Sequence, residues 1–146
     1  MEKRDTGFWM VQVPGWVLLI YLVYAQAIPA FDYDLGVTMG TQESADQITA
    51  VGVAFYYGFA FADLATYIPI LLIGLAGLWM SRRWGQVFMG AAFGITIYWP
   101  IVSLAAVVKA RGAPGWDLGD ETLYWIVLPL IGIWAIWGLT RLARES

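Results

Sequence analysis

The 146-residue chain contains no cysteine and no histidine. Disulfides, thiol nucleophiles, zinc or haem sites built on imidazole, and every mechanism that moves protons through histidine are thereby excluded. Charge is scarce too: Asp, Glu, Lys and Arg make up 13% of the chain, against about 25% in soluble domains. The few basic residues form no patch of the kind that binds nucleic acid, so no nucleic-acid partner is expected. Any catalysis would have to rest on carboxylates, Tyr, Ser, Thr, Lys or a bound metal. No cofactor is expected.

What the chain has instead is apolar length, with 60% of its residues hydrophobic. From Val51 to Met80 run thirty residues whose one formal charge is Asp63. About 20 apolar residues suffice to cross a bilayer core, so this stretch spans with length to spare. A carboxylate at membrane depth costs about 2.5–3.5 kcal/mol, which predicts that Asp63 faces protein, water or a ligand rather than lipid.

Three further apolar runs flank it. The expected fold is all-α: one domain, residues 1–146, forming an integral membrane four-helix bundle with helices at about 12–31, 46–80, 84–108 and 122–141. Neighbours should be antiparallel and joined by short loops. Lys3, Arg4 and the small residues Ala25-Gln26-Ala27 also fit a secretory signal; we read the stretch as the first membrane helix. Asp32-Tyr33-Asp34 with Glu43 and Asp46 marks an acidic outer loop. It lacks the spacing of a calcium-binding EF-hand loop, so we expect solvated acids and no metal site. Thr41 or Ser44 can cap the second helix, which should start near Ala45.

Lys3, Arg4, Arg82, Arg83, Arg141 and Arg144 fall on one side of such a bundle, six bases against Lys109 and Arg111 on the other. The positive-inside rule then predicts that both termini are cytoplasmic, and the expected host is the cell (inner) membrane. Small residues recur at Ala54, Gly58, Ala62 and Thr66, and Gly90 and Gly94 form a GxxxG pair. Such strips let membrane helices approach closely, so these positions are expected to pack.

Each predicted helix carries a proline in its outer half: Pro29, Pro69, Pro100 and Pro129. An internal proline removes a backbone donor and leaves carbonyls in need of partners. Polar and amphipathic side chains gather at the same level: Gln26, Asp63, Thr66, Tyr67, Tyr98, Trp99, Ser103, Tyr124 and Trp125. We therefore expect a tightly packed, mainly apolar cytoplasmic half beneath a flared outer half, with Asp63 near Tyr67, Tyr98 and Trp99 lining a cavity.

Three functions fit this pattern. The first is binding or transport of a small apolar or cationic ligand, for which aromatic faces and a carboxylate are suited. The second is an intramembrane acid/base enzyme using Asp63 with Tyr67 or Tyr98. The third is an accessory subunit of a larger membrane complex, or a homo-oligomer, docking through its small-residue faces. The layout resembles the broad set of small four-helix membrane proteins that hold sterol-like or drug-like ligands, and architecture transfers no function by itself.

Overall fold

The computed structural model describes residues Arg4–Glu145, without the Glu145 side chain. Lys3, counted above among the basic residues, lies outside the described residues. All the regular structure is helical: α1 (Thr6–Phe31), a short α2 (Tyr33–Thr38), α3 (Ala45–Trp79), α4 (Arg83–Ala110) and α5 (Thr122–Glu145). Four of these, α2 excepted, are long and apolar enough to cross a membrane, which points to an integral membrane protein.

Local chemistry sets the boundaries. The first helix starts at Thr6, not near residue 12, because Asp5 caps it and accepts the Phe8 N–H at 2.8 Å. Ser44 opens α3, with its own N–H donating to the Gln47 side chain at 3.0 Å. After one turn α3 is interrupted at Thr49, whose φ of 67° lies where a β-branched residue is a rare outlier. At its far end Ser81 takes the left-handed conformation, and Arg82 N–H reaches back to the Gly77 carbonyl at 2.9 Å. That closes a Schellman turn, from which α4 departs at once.

Two ends of the molecule can be told apart by their contacts. At the terminal end Arg141 pairs with Asp5 at 2.8 Å, and Arg4 lies 4.0 Å over the Trp79 ring. At the acidic end the Tyr124 hydroxyl donates to Glu43, and Asp117 N–H donates to the Gln47 carbonyl at 2.7 Å. The core between them joins Leu19 and Leu22 of α1, Leu71 and Leu75 of α3, Met89 and Phe93 of α4, and Ala135 of α5. The terminal half, expected to be mainly apolar, holds one buried amide. Gln12 is buried there, donating to the Leu75 carbonyl at 3.1 Å and accepting the Trp16 indole N–H at 2.9 Å.

Close helix contact falls on glycines other than the expected ones. A Cβ at Gly85 would lie 2.3 Å from the Gly77 backbone, and one at Gly74 would lie 2.8 Å from Met89 N. Here α3 and α4 touch backbone to backbone. Gly94 has nothing within 4 Å, and Gly90 meets only Leu139, at 3.9 Å. Gly58 likewise meets nothing, and Ala54, Ala62 and Thr66 are exposed. The strip that we expected to pack on helix two therefore looks outward.

The loop between α1 and α3 is not simply a solvated acidic tail. Asp32 caps α2 by accepting the Leu35 N–H at 2.9 Å, and the chain then turns back so that Gln42 is buried against α1. Its amide donates to the Ala25 carbonyl at 2.8 Å. Ala25 is the residue four before Pro29, so its carbonyl is the one that Pro29 cannot serve. The same device recurs at the other proline of α1. Pro14 cannot serve Met10, and the Trp134 indole of α5 donates to the Met10 carbonyl at 2.8 Å. Of the loop acids, Asp34 and Asp46 are exposed, whereas Glu43 is part-buried.

Candidate binding site at Asp63

Two stretches of the long helices leave the α pattern. Val23–Ala27 in α1 and Asp63–Tyr67 in α3 are π-helical, with Ile28 N–H bonded to the Val23 carbonyl and Ile68 N–H to the Asp63 carbonyl. Both are followed by the same dipeptide, Ile28-Pro29 and Ile68-Pro69. Proline crowds the carbonyl four residues back and deletes a bond, and a turn closed over five residues absorbs the disturbance locally. The two π segments pack against each other. Widened turns of this kind are frequent at functional sites.

Each segment contributes one buried polar side chain, Gln26 from α1 and Asp63 from α3. Asp63 is 6% exposed, and neither of its oxygens receives a hydrogen bond from the described residues; Oδ2 is fully shielded. A buried carboxylate without a donor is unusual, since buried charges are normally paired and hydrogen-bonded. One turn on in the same segment Tyr67 is 2% exposed, and its hydroxyl is bonded to Thr96 Oγ1 of α4. Thr96 in turn donates to the Ala92 carbonyl at 2.7 Å. The phenol is thereby held on α4 and leaves the carboxylate unserved.

The remaining predicted residues divide. Tyr98 is 61% exposed and faces outward rather than toward Asp63, correcting its placement in the interior. Trp99 and Ser103 are half-buried on α4. Thr66 is exposed and donates back to the Ala62 carbonyl, the usual resort of a hydroxyl in an apolar helix. Tyr124 and Trp125 belong to the acidic end, where the first donates to Glu43 and the second, at 3.2 Å, to Glu121. The polar-aromatic level expected from the sequence is thus two places: a buried cluster at the π segments and a network over the acidic end.

Two open clefts of the molecule lie away from Asp63. One is lined by Trp16, Ala76, Trp79 and Met80 at the terminal end, the other by Leu104, Ala105, Val108, Lys109 and Trp125 at the acidic end. Thr96 and Gln42 are the site neighbours that sequence reasoning passed over. Gln42 had a signal, being an amide seventeen residues after a carbonyl orphaned by proline, but nothing in the residues told that the loop turns back. The chain matches no known protein family, no curated protein and no solved structure.

Proposed function

We propose that this is a membrane protein that binds a small cation at Asp63. In this reading the bundle is antiparallel and sits in the cell (inner) membrane, and both termini are cytoplasmic, which the excess of basic residues at the terminal end supports. The observation that carries the proposal is the buried carboxylate that no donor among the described residues serves. Kept ionised at membrane depth such a group calls for a counter-charge, and a cation from outside would supply it. Gln26, buried on the π segment packed against that of Asp63, is the second polar side chain available to such a cation, and Tyr67 is held on α4 by Thr96. Of the two ligand classes the residues suggested, the cationic one fits the carboxylate, because an apolar guest would leave its charge uncompensated.

The test is thermal melting of the purified protein in neutral detergent, titrated with sodium, potassium and tetramethylammonium chlorides at one ionic strength. One of these cations should raise the midpoint in the wild type and leave Asp63→Asn unmoved. The variant itself should melt no lower without added cation, because the cost of burying an uncompensated charge has gone. No response to any of the three, or an equal response in the variant, would remove the proposal.

A second role, as a homo-oligomer or a subunit of a larger membrane complex, is favoured by the outward strip of Ala54, Gly58 and Ala62. Small residues facing lipid admit a partner helix closely. Gly58→Leu should then lower the mass of the detergent-solubilised assembly; an unchanged mass counts against a partner on this face.

A further inference from the structure

The cleft at the acidic end has a composition that the cation site does not use. It is shallow and open, with a volume of about 670 Å³, and is lined by Leu104, Ala105, Val108 and Lys109 of α4 and by Trp125 of α5. The walls come from the last turns of α4, which ends at Ala110, and the first turn of α5, which starts at Thr122. That puts an apolar groove at the border of the span and its basic group just beyond.

The neighbouring charges are committed elsewhere. Arg111 pairs with Glu121, which also accepts the Trp125 indole N–H at 3.2 Å, and the Arg111 guanidinium sits 5.4 Å from the Trp125 ring. This three-residue cluster fixes the indole as a wall of the cleft. Lys109 has no acidic partner among the described residues, and its side chain is exposed. An apolar groove with one unneutralised ammonium at the water border complements an amphiphile with one anionic head.

From this complementarity we infer that the cleft holds a phospholipid of the surrounding leaflet, with an acyl chain along Leu104, Val108 and Trp125 and the phosphate on Lys109. The phosphate lies at the level where Trp and Lys side chains meet headgroups, and the ammonium serves it as a point charge. The inference is independent of Asp63.

It is tested by melting the full chain in neutral detergent with dioleoyl phosphatidylglycerol, with dioleoylglycerol, which has the same chains and no phosphate, and with inorganic phosphate. The phospholipid should raise the midpoint by several degrees and the other two should not. Lys109→Gln, at an exposed position, should melt as the wild type does without lipid and lose most of the shift. Ala105→Trp, which fills the groove and keeps the lysine, should lose it as well. An equal shift with dioleoylglycerol, a shift with inorganic phosphate alone, or a wild-type response in both variants would overturn the inference.

Discussion

The carbonyl of Ala25 offers the sharpest test of how this chain tolerates proline in a membrane helix. Ala25 is 1% exposed and Gln42 is 8% exposed, so no solvent stands ready to replace the amide that now donates at 2.8 Å. Gln42→Leu keeps most of the volume and removes the donor. A buried acceptor left unserved costs about 1–3 kcal/mol, and we expect a loss near the middle of that range, about 2 kcal/mol. The argument makes a second demand. In a Pro29→Ala background the alanine N–H is aimed at the same carbonyl by helical geometry, so there Gln42→Leu should cost about 1 kcal/mol less, a coupling typical of groups that share a partner. The assay is chemical or thermal unfolding in a fixed detergent for the wild type, both single variants and the double variant. If Gln42→Leu is equally costly in both backgrounds, Gln42 acts by packing alone and the proline explanation is refuted.

The helix contact between α3 and α4 makes its own prediction: Gly85→Ala drives a methyl into the Gly77 backbone and should cost about 1–3 kcal/mol, whereas Gly94→Ala, in open space, should be neutral or stabilising by up to about 1 kcal/mol. Melting of the two variants side by side decides it, and the reverse order would mean that the helices cross elsewhere. Asp5 carries a pH dependence. The Phe8 N–H foremost, and then the Arg141 guanidinium, hold its carboxyl below the ordinary value of 3.8. A depressed carboxyl contributes stability that is fully present above pH 3.8 and is lost as pH falls through the lowered folded value. Asp5→Asn keeps a capping side chain and removes the charge, so the gap in melting temperature between it and the wild type should close as the pH falls below 3.8. A gap that stays constant to lower pH would mean that the charge contributes nothing.

The sequence disclosed the elements better than their faces. Four spans, the tight turn at Ser81-Arg82 and the start of α3 at Ala45 follow from apolar length, turn residues and caps, all of which are local signals. The burial of Asp63 was legible from cost alone. Which side of a helix looks inward was not, because lipid and core are equally apolar and leave no periodic contrast along α3 or α4. Gly77 and Gly85 therefore looked no different from Gly58, Gly90 and Gly94. Tyr98 was placed inward for the same reason, although an amphipathic ring near the membrane surface is equally at home facing out. The turning back of Gln42 is a long-range event that only the orphaned carbonyl could have hinted at. The Asp5 cap was hidden by Pro14, which suggested a first turn later in the chain.

The paired π segments bear on how this chain could change length. A π turn is an α-helix that has taken in one extra residue without rotating the helix on either side, whereas an unabsorbed insertion would swing everything beyond it by roughly 100°. In α3 that keeps Asp63 and Ala60 on the same buried side as Leu71 and Leu75. The surplus residue and the following proline thus form one unit. Deleting a residue such as Ala65 would restore an ordinary helix and press the Pro69 ring onto the turn before it; replacing the proline alone would leave a bulge without a cause. Lost together, they leave the flanking faces as they are. Insertion and proline would therefore have to be gained or lost as a pair, in α1 as in α3, and the packing of one bulge on the other extends that constraint across two helices.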